Sequence, residues 1–484
     1  MLKIRIPSWL KRTTKYGLAL FFLLLLTIAV SLPMAKYLKP RDLIMVDNRQ
    51  SITLDNVNII RVTPFAKENI LKQQQIVIRG GEIIAINPAG SQIEANSRLI
   101  DTQGAYVTPG LFDMHVHLYD RKYLMLNLAY GVTSVRAMNG QLKDLRWKKE
   151  LAQQQWLGSN LFVSSPILNG KNTDALSVAI NSKAEGREQV RKAKEYGFDF
   201  IKVYDYLDSQ SFEAIVDEAN KIGMPVAKHG PHPVVGSDWY WLEGMQSLEH
   251  VEDIFQGPLN FEFDYTKLQE VAQKIKTLNV PVVPTLETFD HLTQLSNRKQ
   301  QFVDTLELSY INPLYYDIMN YFTVQRWLKG SKQQAEYLTE ENKFLSDIVR
   351  VLHQNKVKLL VGSDAGTNFT LSGIATHNEM RLMNQAGLSN IEVIRAATIN
   401  AAETLRIDKH SGSVEIGKVA DLILSKANPL ESLNSLREPF AIVKNGQWLS
   451  QQDIRRLKDS AKNTKSYYWS VITLVEDLID RQFL

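Results

Sequence analysis

Six residues of this 484-residue chain have types and spacing suited to metal-assisted chemistry. His115 and His117 form a His-x-His pair in the stretch Val107-Thr108-Pro109-Gly110-Leu111-Phe112-Asp113-Met114-His115-Val116-His117-Leu118. Pro109-Gly110 reads as a turn that feeds a short apolar strand. Side chains two apart on a strand share a face, so both imidazoles point the same way and can grip one ion. Alone, such a pair is more often a satisfied pair of histidines than a ligand set. Four further residues shift that balance. They are Lys202 in Phe200-Ile201-Lys202-Val203-Tyr204, His229, His250 in Ser247-Leu248-Glu249-His250, and Asp364 in Gly362-Ser363-Asp364-Ala365-Gly366. Imidazole and carboxylate are the usual ligands of zinc and its neighbours. The chain has no cysteine, which excludes thiol nucleophiles, zinc knuckles and disulfides.

The elements that must position these residues are strands. Apolar strand candidates lie at 111–114, 133–137, 161–164, 200–204, 225–228, 246–248, 280–284 and 358–362. Helical segments such as 211–221 and 265–277 fall between most of them. That rhythm argues for parallel strands, and eight of them argue for a closed barrel whose chemistry sits at the C-terminal strand ends. Short strands flank the middle on both sides. Gly80-Gly81 and Asn445-Gly446 both read as hairpin turns. The expected architecture is an α/β (β/α)8 barrel over 109–409, with a helical insertion at 287–357. A small β-sandwich domain would form from 52–108 with 410–450, and a helical tail from 451–484. The insertion carries Tyr310, Tyr315, Tyr316, Tyr321, Phe322 and Trp327, as a lid over the site or as packing onto the barrel. Ser389-Asn390-Ile391-Glu392 has capping-box spacing before a helical run to about Leu405.

Charge divides the chain unevenly. Residues 1–41 hold eight basic side chains and no acid, so with a total of +4 the rest stands at −4. A mildly acidic body gives nucleic-acid binding no electrostatic support. The basic segment encloses an uncharged run at 16–35, about the 20 residues that a bilayer-spanning helix needs. The run reads as a retained single-pass signal anchor, with a signal peptide cut after Ala29-Val30-Ser31 as the alternative. Either places the body outside the cytoplasm, in the periplasm, with the anchored form held at the cell membrane. The tail holds Tyr467, Tyr468, Trp469, Val471, Ile472, Leu474 and Val475. It reads as a helix on the body, a subunit contact in a homo-oligomer, or an interfacial membrane helix. Glu476, Asp477 and Asp480 count against the last.

From about Val57 to Trp448 the chain resembles the amidohydrolase superfamily, in the branch of imidazolonepropionase and metal-dependent Xaa-Pro dipeptidases (prolidases). The marks are the motifs above together with His377-Asn378-Glu379-Met380, Ala396-Ala397-Thr398-Ile399-Asn400-Ala401-Ala402 and Gly417-Lys418-Val419-Ala420-Asp421-Leu422. The resemblance implies two divalent ions, zinc foremost, that lower the pKa of a shared water. His115 and His117 would hold the first with Asp364, and His229 and His250 the second. Lys202, N6-carboxylated, would bridge both, because an ammonium cannot ligate a metal and a carbamate can. Asp364 would carry the proton to the leaving amine. Arg136, Tyr204, His232 and His377 are candidates for touching substrate or steadying ligands. His232 reads more simply as a solvated loop residue, and His377 equally as a structural one.

The implied activity is hydrolysis of an amide-type C–N bond in a small substrate, such as a dipeptide or an N-acyl amino acid. A deaminase or cyclic-amide hydrolase is the alternative among enzymes, and a non-catalytic metal-binding pseudoenzyme the alternative outside them. The intact ligand set argues against the pseudoenzyme. Many deaminases of the superfamily carry a glutamate three residues after the fifth-strand histidine. Here that place is His232, and Pro231 precedes it.

Overall fold

The computed structural model describes residues 51–64, 68–94, 96–170, 177–462 and 467–480, together with Leu23, Leu25–Thr27, Ala29–Ser31, Pro33 and Met34. The run expected to anchor the chain therefore lies largely outside the described residues. Its described members are helical. Among the described residues no helix is long and apolar enough to cross a membrane.

The expected barrel is present and nearly closed. Its strands are β6 (Leu111–Val116), β7 (Val132–Ala137), β8 (Asn160–Asn169), β10 (Phe200–Val203), β11 (Val226–His229), β12 (Ser247–Glu249) and β13 (Val282–Val283). They pair in parallel in that order, with a short extra strand, β9 (Ser177–Ala179), on β8. The eighth position is filled by isolated bridges rather than a full strand, Leu359 on Val282 and Ala365 on Val116. Backbone bonds from Met114 N to Val361 O (2.8 Å) and from Asp364 N to His115 O (2.8 Å) complete the closure. The strands are near-continuously buried, as strands covered on both faces must be. Helices such as Ser209–Lys221 and Tyr265–Leu278 bury one apolar stripe each against them.

Both chain ends build the small domain. The strands are β1 (Ile52–Ile60), β2 (Ile70–Arg79), β3 (Glu82–Pro88), β4 (Arg98–Asp101), β5 (Tyr106–Pro109), β14 (Leu422–Ser425), β15 (Ala441–Lys444) and β16 (Gln447–Leu449). The expected sandwich is hydrogen-bonded as one eight-stranded sheet. The cause lies in β1, a bulged strand whose one edge pairs first with β4 and then with β5. Leu54, Val57, Val107 and Leu422 are completely buried in a core of its own. The two-residue turns at Gly80-Gly81 and Asn445-Gly446 all have positive φ, which suits the twist of a tight hairpin.

One expectation needs correction, and one of two alternatives is favoured. The helical run to Leu405 is two helices, Asn390–Ala396 and Ile399–Thr404. It breaks because the Ala397 carbonyl accepts from Phe112 N (2.7 Å) on the barrel strand, and Thr398 Oγ1 donates back to Ile394 O (2.6 Å). The insertion aromatics chiefly pack. Tyr310 and Tyr315 are buried, Tyr315 stacks on Tyr119 (4.7 Å) and Tyr316 on Phe369 (4.9 Å). Only Tyr321 and Phe322 among the six stand exposed.

Gly110 alone separates β5 of the small sheet from β6 of the barrel. A Cβ there would lie 2.1 Å from Thr133 Oγ1 and 2.3 Å from its Cγ2. Gly110→Ala is expected to cost about 1–3 kcal/mol through overpacking, read as a lower urea midpoint. Adding Thr133→Ala removes the two nearest atoms, leaves Thr133 Cβ at 2.7 Å, and should recover part of the loss.

Candidate metal centre

Strand alternation brings the first group together. His115 lies on β6 and His117 just past its end, and the seam between β6 and the bridged eighth position puts Asp364 beside them. Asp364 Oδ1 lies 2.9 Å from His117 Nε2 and 3.5 Å from His115 Nε2. Burial pushes the Asp364 carboxyl up, but His117 and His115 outweigh that and hold it well below the carboxylate range. Asp364 (φ 54), His250 (φ 64) and Thr285 (φ 55) all adopt left-handed backbone at strand ends. Non-glycine residues are rarely found there, and such strain gathers at functional sites.

The second group lies next to the first. The His250 ring is 4.6 Å from that of His115 and 4.4 Å from that of His229. His229 Nε2 lies 3.2 Å from Asp253 Oδ2, and Asp205 joins these two as a third donor. Lys202 is completely buried on β10. Burial pushes its ammonium down to about 8, although Glu249 acts against that.

Two of the three imidazoles, His115 and His250, have one nitrogen held by a partner. His115 Nδ1 lies 2.8 Å from Glu249 Oε2, and His250 Nδ1 lies 2.8 Å from Thr285 Oγ1. The Thr285 hydroxyl gives its proton to Pro284 O (2.7 Å), so it accepts from His250 and leaves Nε2 with a lone pair. Glu249 is steadied in turn by Arg136 Nη2 (2.7 Å) and by the Ser247 hydroxyl. Burial pushes all three imidazoles toward the neutral form, His115 to about 4. Neutral imidazole is the form that binds a metal.

The donor set fits divalent cations. Buried polar atoms without a hydrogen-bond partner include His115 Nε2, His229 Nδ1, Lys202 Nζ, Asp253 Oδ2 and Asp364 Oδ1. Buried polar groups are normally satisfied, because each orphan costs about 1–3 kcal/mol. The two imidazole nitrogens and two carboxylate oxygens among them have the character of metal ligands.

The model of the amidohydrolase family matches residues 106–449, spanning all of these positions. The chain belongs to that family. It is a hydrolase acting on carbon–nitrogen bonds. The imidazolonepropionase of Legionella pneumophila (strain Corby) is 24% identical over 385 residues, covering 73% of this chain and 88% of that protein. An adenine deaminase of Desulforamulus reducens is 23% identical over 390 residues, covering 78% of this chain and 54% of its own length. Among solved structures, bottromycin amidohydrolase superposes with a TM-score of 0.72 at 21% identity, over 88% of this chain and 96% of that one. A Xaa-Pro dipeptidase with methionine bound in its active site superposes at 0.64 and 20%, over 83% and 100%. The structural likeness establishes the fold, and no one substrate is common to these names.

Other candidates fall in different places within this amidohydrolase. Tyr204 stacks on His229 (4.2 Å), inside the centre. Arg136 is fully buried behind His115, bound to Glu249, Ser247 and Met114 O, and so steadies His115 through Glu249. His232 is half-buried with its Nδ1 on Pro233 O (2.9 Å). His377 lies apart, with Nε2 2.8 Å from Tyr130 O.

Sequence reasoning missed the roles of Glu249, Asp253, Asp205 and Thr285. Glu249 had a signal, since an acid inside a buried strand must have a cation beside it. Asp205 faces Lys228, a fully buried lysine that also donates to His229 O (2.7 Å).

The relay behind His115 can be tested in two ways. Glu249→Gln preserves shape but weakens the hold on His115, so metal affinity should fall about 10–100-fold, measured by competition with a chelator. Arg136→Met instead strands a buried carboxylate. It should destabilise the fold by about 3–5 kcal/mol, seen in denaturant unfolding of the metal-loaded protein.

Proposed function

We propose that this amidohydrolase uses two divalent ions, zinc foremost, to cleave an amide bond of a small substrate such as a dipeptide or an N-acyl amino acid. The observation that carries the reading is Lys202. Its Nζ is completely buried, without a hydrogen-bond partner, beside two groups of metal-type donors. A charged ammonium is costly there, whereas an N6-carboxylated lysine offers two anionic oxygens to two cations. His115, His117 and Asp364 would hold one ion, His229 and His250 the other, with the carbamate between. When bound, the ions supply Lewis acidity and a nucleophile at neutral pH.

The chain's own residues do the rest. Asp364 is held in its basic form. Thr288 Oγ1 donates to its Oδ2 (3.2 Å), while Oδ1 faces His117 Nε2 (2.9 Å) and His115 Nε2 (3.5 Å). In this reading the Asp364 carboxylate accepts the proton from the attacking water and returns it to the leaving amine. Glu249 and Thr285 keep His115 and His250 in the tautomers that present Nε2. The deaminase reading has less support, because His232 stands where the deaminase glutamate would be.

The uncharged run at 16–35 supports a retained anchor, with the catalytic body outside the cytoplasm. The mature chain is expected to sediment with membranes and to resist high-salt washing, since insertion is not screened. A soluble chain beginning near Leu32 would show cleavage instead.

Two substitutions test the chemistry. Asp364→Asn should lower turnover by about 100- to 10,000-fold with the fold retained, and near-normal turnover at saturating metal would remove Asp364 as the base. Lys202→Ala should drop metal content from two ions per chain toward one, partly restored by acetate or formate. An unchanged count, or a wild type fully active with one ion, would favour the deaminase. A panel of dipeptides and N-acyl amino acids then identifies the substrate.

A further inference from the structure

The helix Tyr467–Asp480 is amphipathic in an inverted sense. Its acids turn inward, with Glu476 2%, Asp477 7% and Asp480 7% exposed. Glu476 Oε1 lies 2.5 Å from Arg146 Nη1, and Asp477 Oδ1 lies 3.0 Å from Lys143 Nζ, both cations on the helix Leu142–Ala152. Those acids were the argument against a membrane-facing tail, and they are spent on the barrel instead. The outward face carries Tyr467, Tyr468, Val471, Leu478 and Ile479, each at least 40% exposed. Among the described side chains of this helix, every exposed one is aromatic or aliphatic. At 3.6 residues per turn these five fall within an arc of about 120°, and the acids lie opposite.

The face continues beyond the helix. The Tyr467 hydroxyl meets the carboxylate of Asp317 on the helix Pro313–Met319, which runs directly into the π-helical turn Asn320–Val324. Tyr321 and Phe322 stand out of that turn, 77% and 71% exposed. On the other side, the Tyr468 hydroxyl meets Ser31 of the N-terminal apolar run, whose Leu23, Leu26 and Val30 are more than half exposed. Single exposed apolar side chains are ordinary, but a connected patch of this kind marks a contact surface. Its occupant is indicated by what touches it. The run at 16–35 has bilayer-spanning length and lies among eight basic residues suited to anionic headgroups. Tyrosines with an apolar ring and a satisfied hydroxyl are typical of the bilayer interface.

We propose that the outer face of the helix Tyr467–Asp480, together with Tyr321 and Phe322, lies in the interfacial layer of a lipid bilayer. This rests on the reading of 16–35 as an anchor and goes beyond it. The body is then docked in one orientation rather than tethered. Tyr315, on the helix that leads to Tyr321, stacks on Tyr119 two residues from His117, so the docked face is packed against the catalytic end of the barrel.

The absence of cysteine makes the test direct. Val471→Cys, Ile479→Cys and Phe322→Cys in the full chain each take one environment-sensitive fluorophore. Ile416→Cys, 63% exposed on the small sheet domain, is the control. The labelled chains are reconstituted in phosphatidylethanolamine–phosphatidylglycerol vesicles with and without brominated acyl chains. The three test labels should shift to the blue and lose most of their emission to bromine, while the label at 416 does neither. If the chain floats with vesicles but all four labels behave alike, the docked face is wrong and the anchor stands. A chain that does not float removes both readings. Labels that become shielded without lipid, in step with protein concentration, would assign the face to a second copy of the chain and overturn the proposal.

Discussion

Closure of the barrel at one seam is the constraint on which the centre depends. β6 and the residue after it supply His115 and His117, the bridged segment at the eighth position supplies Asp364, and the two meet through few backbone bonds. Asp113 strengthens that seam from inside. Its buried carboxylate accepts from Ser363 N (2.9 Å), the Ser363 hydroxyl (2.5 Å), the Thr376 hydroxyl (2.6 Å) and His115 N (3.2 Å). Burial alone pushes Asp113 upward, and these donors act against it. One carboxylate thus joins β6, the bridged segment at the eighth position and the helix Ile374–Gln385, two residues from His115.

Behind the ligands lies a layer of fixed charge. Arg136 and Glu249 are both completely shielded from water, where an unpaired ion would be costly. Arg136 is satisfied by Met114 O, Ser247 and Glu249, and Glu249 by Arg136, Ser247 and His115. Although burial raises the Glu249 carboxyl, Arg136 and His115 hold it well below its ordinary range. The result is a permanent negative charge that aims one imidazole. Around His229 a looser version is built from Asp253, Asp205 and Lys228.

The insertion and the tail show how the same residue types serve opposite ends. Tyr310 and Tyr315 are driven into a core with Leu295, Phe369 and Leu371, while Tyr321 and Phe322 remain outside. The difference comes from the turn at Asn320–Val324, a π-helical segment that shifts the helical phase and carries the two rings away from the barrel. In the tail, helix phase separates acids from apolar residues, and buried Lys143 with half-buried Arg146 decides which side faces in.

Much of this was legible in the sequence, because local rules govern it. Alternation placed His115 and His117 on one side of a strand. Apolar runs located seven of the barrel strands, while the run at 358–362 is only bridged, and Gly80-Gly81 and Asn445-Gly446 marked the hairpins. The capping box at Ser389 is present. What composition and spacing left undecided was every contact between distant segments. That Glu249 meets His115 across 134 positions, that Thr285 orients His250 across 35, and that Asp253 approaches His229 depend on neighbouring strands in a closed ring. Thr398 reads as helix until Phe112, far away in the chain, claims the carbonyl beside it. The same holds for Glu476 and Asp477, acids that look solvent-facing in sequence. Only the tertiary structure, by placing Arg146 and Lys143 beneath them, turned them inward and left the apolar face of the helix outside.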